Sequence, residues 1–271
     1  MSNDFKEKVV LVTGAASGIG REAARAFASR GALVYGADLD EKGLAETQTL
    51  IVKAGGKARI ARIDVSAEEQ FSAFVKRIET EAGRLDAAFN NAGITGGAHR
   101  LEDYPTDDFD KVLRVNLRGV FLGMKYELPL MKRGGGGAIV NTASVAALTG
   151  PGGMSAYAAS KHGIQGLTRV AAMENAAHGI RVNALAPGWT ETPMVIANSA
   201  QNPAFAEKAR AAIPSRRGGQ PAEIAAAAVW LCSPESSYVM GQMLVVDGGM
   251  TIGGFEFQPN TQTPGSTGET P

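Results

Sequence analysis

The sequence predicts an α/β fold, with one parallel sheet and helices packed on both of its faces. Three observations carry that prediction. Short apolar runs of strand length alternate with longer amphipathic runs along the chain. The short runs are β-branched and apolar on both faces, as strands are when helices cover a sheet from each side. Much of the glycine, 34 of 271 residues, stands at the ends of those runs, where tight strand-to-helix turns need it.

The elements follow in order. KVVLVT (8–13) reads as the first strand and GIGREAARAFASRG (18–31) as a helix stopped by glycine. ALVYGAD (32–38) is a strand, and EKGLAETQTLIVKAGG (41–56) a helix with a glycine stop. ARIARID (58–64) is a strand. In AEEQFSAFVKRIETEAG (67–83), Phe71, Phe74, Val75 and Ile78 form a helical stripe. LDAAFNNAG (85–93) is a strand entering a glycine turn. The stretch 106–134 predicts one long helix, with Thr106 as N-cap and Asp107 and Asp108 in its first turn. AIVNTAS (138–144), a helix from 155 to 177, IRVNALAP (180–187), PAEIAAAAVWLC (221–232) and QMLVVDGG (242–249) complete the alternation. The GGGG run at 134–137 is a link into the fifth strand, at the wrong end of that strand for a phosphate loop. Right-handed crossovers then give a single-domain, Rossmann-type doubly wound fold with a seven-stranded parallel sheet. The domain is expected to span 1–251. Residues 252–271, rich in Gly, Pro, Thr and Gln, read as a flexible tail with Phe255 and Phe257 as its anchors.

Composition narrows the function classes. Lys plus Arg and Asp plus Glu number 27 each, for a formal net charge of zero, so no net field draws the chain to nucleic acid or an anionic membrane. The first residues lack the apolar run of a signal peptide, and no stretch has the length to span a bilayer. The expectation is a soluble cytoplasmic protein. His99, His162 and His178 are scattered, with His162 on helix surface, and Cys232 stands alone in a helix of core residues. No metal site is expected.

TGAASGIG (13–20) places Gly14, Ser17, Gly18, Ile19 and Gly20 between the first strand and the first helix. Small residues there let backbone N–H groups reach a pyrophosphate at a helix N-terminus, where unpaired amides and the helix dipole favour an anion. Asp38 ends the second strand 18 residues after Gly20, near the spacing of about 20 residues for the acid that holds the ribose hydroxyls. A carboxylate accepts hydrogen bonds from a diol and repels a 2′-phosphate. Ala15, Ala16, Ser17 and Leu39 bring no positive charge, so NAD is expected over NADP. Asp64 and Val65 are candidates for the adenine edge. Asn91, Ala92 and Gly93 offer small residues and an amide where a cofactor lies close to backbone.

YAASK (157–161) sets a phenol and an ammonium on one helix face. With the preceding motifs in this order, TGAASGIG, NNAG and YAASK resemble the cofactor turn, the structural motif and the Y-x-x-x-K of the short-chain dehydrogenase/reductase family. The resemblance covers residues 6–251. Ser144, thirteen residues before Tyr157, and Asn116, in RVNLRG, match the rest of the family's catalytic set. Pro187 and Gly188 match the turn after the sixth strand.

The resemblance implies a division of labour. Tyr157 is the general acid/base. Lys161 lowers its pKa from the ordinary value of about 10 and holds the nicotinamide ribose. Ser144 hydrogen-bonds the substrate oxygen. Asn116 breaks its helix and frees a backbone carbonyl to hold a water in a proton relay. Thr190 and Thr192 contact the carboxamide, within a mobile lid at 189–218. The resemblance also implies a homotetramer built on the helices 106–134 and 155–177, whose Gly119, Gly123, Ala158, Ala159 and Gly166 permit close packing.

The substrate is expected to be a secondary alcohol or its ketone, cyclic or a diol. It would meet the apolar lid residues Trp189, Met194, Val195, Ile196 and Phe205, with Leu148 and Met154 opposite. Arg216 and Arg217, near the lid's end, leave an anionic substrate open. Two alternatives stand beside this: an NADPH-dependent carbonyl or 3-oxoacyl-thioester reductase, which Asp38 disfavours, and a non-catalytic NAD-binding sensor, which needs no complete Asn116, Ser144, Tyr157 and Lys161 set.

Overall fold

A computed structural model describes residues 4–201 and 203–252. The expected tail anchors Phe255 and Phe257 lie outside the described residues.

Seven strands form one sheet: β1 (Val9–Thr13), β2 (Leu33–Asp38), β3 (Lys57–Arg62), β4 (Ala87–Asn90), β5 (Gly137–Thr142), β6 (Ile180–Pro187) and β7 (Met243–Val246). All pair in parallel, in the order β3-β2-β1-β4-β5-β6-β7. The helices are α1 (Gly18–Ser29), α2 (Glu41–Lys53), α3 (Glu68–Ala82), α4 (Thr106–Leu113), α5 (Gly119–Arg133), α6 (Ser155–Asn175), α7 (Pro193–Gln201), α8 (Pro203–Ala212) and α9 (Pro221–Cys232). This is the doubly wound, seven-stranded fold the alternation predicts.

The pleat divides the core in two. Val9 and Leu11 of β1 point to one face, into a cluster with Phe71, Val120, Met124 and Ile164 from α3, α5 and α6. Val10 and Val12 point to the other, with Phe27, Leu44 and Val229 from α1, α2 and α9. Phe27, Phe71 and Phe89 are fully buried, and each such side chain contributes about 1.5–3 kcal/mol. The outer strands differ from the expected two-sided burial. β3 is partly exposed along its length and β7 is half-buried, because each has only one neighbouring strand. Cys232 is buried as expected, and burial pushes its thiol up to about 12.

Two local expectations need correction. The single helix over 106–134 is α4 and α5 joined by a π turn at Arg114–Arg118. There the Asn116 side chain is buried and bonds the loop after β4. Thr106 is the first helical residue of α4, not its cap. Pro105 holds the N-cap position, with no side-chain cap. The segment expected as the lid, 189–218, carries α7 and α8. Pro193 and Pro203 open these helices, at the position where a missing N–H costs nothing.

Candidate active site

A cleft of about 570 Å³ opens at the carboxyl ends of the strands, beside the point where strand order reverses between β1 and β4. Gly14, Ser17, Gly18 and Ile19 line it from the turn after β1, Asp38 and Leu39 from the end of β2, and Asp64 and Val65 from beyond β3. Asn91, Ala92 and Gly93 follow β4, Pro187 ends β6, and Gly188, Thr190 and Thr192 follow it. Sequence motifs scattered over the chain are thus gathered on one rim.

The turn suits a close-lying dinucleotide. Gly14 takes a φ of +67°, and a Cβ on it would come within 2.8 Å of Asn91 Nδ2. Gly20 has a different part from the one expected. It is buried beneath the turn rather than lining the cleft, and a Cβ there would run into the Gly14 carbonyl. Its smallness closes the turn onto α1. The Asp38 carboxylate accepts from the backbone N–H groups of Ala16, at 3.0 Å, and Asp40, at 3.1 Å. That fixes its orientation and leaves lone pairs for a diol. The Asp64 carboxylate accepts from the Ser66 N–H and hydroxyl at 2.8 and 2.7 Å, fixing the turn that presents Val65. Thr192 stands over Gly18, its Cγ2 3.3 Å from where a Cβ would be, so the start of the lid meets the glycine turn.

The reactive groups converge at the ends of β5 and α6. Ser144 follows β5, beyond the strand itself, and its hydroxyl accepts from the Ala146 N–H at 3.1 Å. Ser144 and Tyr157 line the cleft together. Lys161, one turn on, donates to the Thr142 carbonyl at 2.7 Å and stands 5.5 Å from the Tyr157 ring centroid. Burial holds the phenol above its ordinary value, and the Ser144 hydroxyl opposes this. Lys161 was expected to depress the phenol. In this structure its ammonium is committed to the Thr142 carbonyl and the ring, and burial lowers its own pKa to about 8.

Asn116 does not line the cleft. Its amide donates to the Ile94 carbonyl and accepts from the Ile94 N–H, both at 2.8 Å, and donates to Ser160 Oγ at 3.2 Å. Ser160 Oγ donates in turn to the Tyr157 carbonyl at 2.7 Å. Asn116 therefore ties the loop after β4 to the helix that carries Tyr157 and Lys161.

Other expectations fall away from the cleft. Trp189 donates to Glu191 at 3.2 Å, Leu148 and Ile196 are exposed, and Met154 holds the N-cap position of α6. None of the four lines it. Met194 and Val195 do. The Phe205 side chain lies outside the described residues. Arg217 is paired with Glu223, and Arg216 donates to the Ala211 carbonyl. Gly119 and Gly123 face inward, onto Val65 and Asn90, whereas Gly166 has nothing within 4 Å. His162 is exposed, its ring 2.9 Å from the Ala158 carbonyl. Ile94 and Thr95 line the cleft from the segment 94–105, where substrate-facing positions were expected, and Lys111 and Val115 line it without having been foreseen. Lys111 and Val115 are four residues apart, so their shared face was readable as helix but not as site. The Thr142 carbonyl left no trace, because a backbone acceptor has no sequence signature.

Comparison with known proteins agrees with this geometry. A family model described as enoyl-(acyl carrier protein) reductase matches residues 14–251. Levodione reductase of Leifsonia aquatica is 42% identical over 254 residues, covering 91% of this chain and 95% of its own. Cyclohexanol dehydrogenase of Acinetobacter sp. (strain SE19) is 40% identical, covering 93% and 98%. The crystal structure of levodione reductase superposes with a TM-score of 0.89 at 40% identity, covering 92% of this chain and 99% of that one. That of NAD+-bound xylitol dehydrogenase does so with a TM-score of 0.87 at 34% identity, covering 90% and 99%. The chain belongs to the short-chain dehydrogenase/reductase family. It is an oxidoreductase of that family, which uses a nicotinamide cofactor.

Proposed function

We propose that the protein is an NAD-dependent dehydrogenase that interconverts secondary alcohols, cyclic ones foremost, and their ketones. The observation that carries this is the Tyr157 phenol, gathered with Ser144 and Lys161 at the wall of a cleft whose rim is Gly14, Gly18 and Asp38. Catalytic roles are assigned to Ser144, Tyr157 and Lys161, and a positioning role to Asn116. The dinucleotide supplies the hydride acceptor or donor when bound. Ser144 holds the substrate oxygen. Tyr157 takes the hydroxyl proton in oxidation and returns one to the carbonyl oxygen in reduction. Lys161 holds the nicotinamide ribose. Gly14, Ser17, Gly18 and Ile19 hold the pyrophosphate, and Asp38 and Leu39 the adenosine ribose. Asp64 and Val65 flank the adenine, while Asn91, Ala92, Gly93, Pro187, Gly188, Thr190 and Thr192 enclose the nicotinamide half. The name of cyclohexanol dehydrogenase supports a six-membered carbocycle in the pocket, as do the apolar Met194 and Val195 that line the same cleft as Tyr157.

The test is NADH formation from cyclohexanol, cyclohexanediols, open-chain secondary alcohols and polyols. Turnover is expected to be highest on the cyclic compounds with NAD. Turnover confined to polyols would overturn the substrate class. One observation favours a second reading, the NADPH-dependent carbonyl reductase: Arg62 is the register partner of Asp38 and is exposed beside it. The ratio of kcat/KM with NAD to that with NADP separates the two readings. A ratio above one is expected, because the Asp38 charge opposes a 2′-phosphate.

The reading extends to a cytoplasmic homotetramer. In its support, Leu113, Leu117, Phe121, Gly163, Gly166 and Leu167 line an apolar groove on the outer face of α5 and α6. Phe121, Val170 and Met173 are exposed there. Light scattering coupled to size exclusion reads the state directly, and a monomeric mass would overturn it.

A further inference from the structure

In the run GMKYELPLM, a carboxylic acid occupies a core position. Val120, Met124 and Met131 bracket Glu127 on the buried face of α5, and Glu127 itself is fully buried. Among the described residues its side chain has one polar partner, Asn90, whose Nδ2 donates to Oε2 at 3.0 Å. Its other oxygen, Oε1, is buried with no partner, and so is Oδ1 of the same Asn90. Two acceptors without a donor stand on two groups that already touch. An ionised carboxylate unpaired at this depth would cost several kcal/mol. One proton on Oε1 answers both problems: the acid O–H donates to Asn90 Oδ1 while the amide N–H donates to Oε2, a closed acid–amide pair. Gly123, one turn earlier, makes the room, since a Cβ there would come within 2.7 Å of Asn90 Oδ1.

The pair lies directly beneath the cleft. Asn90 and Asn141 are register partners at the ends of β4 and β5. Asn90 Nδ2 also donates to Asn141 Oδ1 at 3.1 Å, and Asn141 Nδ2 donates to Thr168 Oγ1 on α6 at 3.0 Å. The next residue on each strand lines the site. Asn91 donates through its N–H to Thr13 Oγ1 at 2.9 Å, and Thr142 gives its carbonyl to Lys161. We propose that Glu127 is a neutral acid in the folded protein and a positioning residue, which sets Asn90 and Asn141 and through them the Asn91 and Thr142 backbone of the dinucleotide cleft. The inference rests on the reading of the cleft as a dinucleotide site.

Burial supports the neutral form, raising the Glu127 pKa from 4.5 to about 8. The residues bonded to it through β4, β5 and α6 (Asn90, Asn141 and Thr168) do not titrate. Cys232 feels its charge, but that thiol is itself pushed up to about 12 and stays uncharged. The sign for stability follows from linkage. From pH 4.5 to about 8 the unfolded chain has lost this proton and the folded chain keeps it. Stability from this group is therefore lost as pH rises through that window.

Glu127→Gln and Glu127→Leu test the proposal in the full chain. Gln can close the same pair with an N–H, whereas Leu fills the space with no polar atom. In the infrared spectrum at pH 6, the wild type is expected to show a protonated-carboxyl stretch that Glu127→Gln lacks. The advantage of Glu127→Gln in Tm is expected to grow with pH across the window. In fluorescence titrations with NADH, Glu127→Gln should bind within about twofold of wild type. Glu127→Leu, shown folded by circular dichroism, should bind about tenfold or more weakly, the scale of loss that follows a misplaced site. Its cofactor KM should rise more than its kcat falls. An ionised Glu127 at pH 6, wild-type NADH binding by Glu127→Leu, or Glu127→Gln as weak as Glu127→Leu would each overturn it. A wild type that binds neither NADH nor NADPH would overturn the proposed function and the positioning role together, while the carboxyl stretch still decides the state of Glu127.

Discussion

Lys161 in the cleft and Asn116 behind it are at most 3% exposed, whereas in the lid Met194 is 44% and Ile196 53% exposed. The first side is held by buried hydrogen bonds that cross elements: Asn116 to Ile94 and Ser160, Lys161 to the end of β5, Asn90 to Asn141. The lid has a different anchorage. Glu191 pairs with Arg210 through both oxygens, at 2.7 and 3.0 Å, and with the Trp189 indole, while Thr190 bridges to Gly219. Beyond that latch α7 offers apolar side chains to solvent. Cooperative burial makes the first side as stable as the whole domain, whereas segments with few buried contacts open at lower cost. The contrast places chemistry on the fixed wall and substrate choice on the movable one, and variants on each side can break it.

The largest effect is expected on the fixed wall. Tyr157→Phe removes the proton donor and acceptor and should lower kcat/KM by about 100-fold to 10,000-fold, with NADH binding unchanged. Lys161→Ala should lower turnover and weaken NADH binding together, because Lys161 serves both. Since burial holds the phenol above its ordinary value, wild-type oxidation should quicken as pH rises and the phenol gives up its proton. Reduction, which needs the protonated phenol, should slow. Pre-steady-state rates in both directions across pH read this, and normal turnover by Tyr157→Phe would end the assigned mechanism.

A smaller effect is expected beneath the turn. Gly20→Ala puts a methyl group against the Gly14 carbonyl, and overpacking of this kind costs about 1–3 kcal/mol. Tm should fall, and NADH binding should weaken because Gly14 is displaced. A fall in Tm with binding intact would show that the turn tolerates movement and that the fixed wall begins further in.

How much was legible follows the same division. The strand alternation, the glycine turn, Asp38, NNAG and YAASK were readable because each depends on a residue type at a fixed spacing. Gly20 was read as contacting the cofactor because sequence shows that a position must be small, not which neighbour makes it so. A break at Asn116 was expected from the family resemblance, but its form as a π turn at Arg114–Arg118 was hidden, because it goes with where the Asn116 amide finds partners, on a loop 22 residues away in sequence. The depressing influence of Lys161 on Tyr157 was an implication of the family resemblance. The structure directs that ammonium to a backbone carbonyl, which no motif encodes. The lid helices were missed although Pro193 and Pro203 marked their starts, since neither carries a strong apolar stripe facing the core.

The latch gives the next expected effect. Arg210 is the main reason the Glu191 carboxyl lies below its ordinary range, and Arg210→Gln removes that partner from a carboxylate only partly open to water. The wall should be untouched and the hinge loosened. Substrate KM and kcat are expected to change together, as for other lid-anchoring positions, while the Kd for NADH and the global Tm stay near wild type. Trp189 fluorescence reports the event locally, because its indole donates to the same carboxylate. A change in Tm as large as that of Gly20→Ala would mean the lid is part of the cooperative core.

The smallest effect, and the finest test of the division, belongs to Met194. It lines the cleft yet is 44% exposed, so Met194→Ala removes little buried surface, and stability should stay within about 0.5 kcal/mol of wild type. It belongs to the exposed side of the cleft, so kcat on a compact cyclic alcohol should hold. What should move is discrimination. Shortening an apolar wall costs binding in proportion to the methylenes that met it, at about 1–3 kcal/mol per methylene in a closed pocket and less in a half-open one. The ratio of kcat/KM for a methyl-substituted cyclohexanol to that for cyclohexanol itself is therefore expected to rise, because the wider pocket admits the larger ring and loses contact with the smaller. If that ratio is unchanged while Val195→Ala shifts it, the selecting surface lies deeper, next to Tyr157. If neither variant shifts it, selection belongs to the fixed wall and the two sides of the cleft are not divided as their burial suggests.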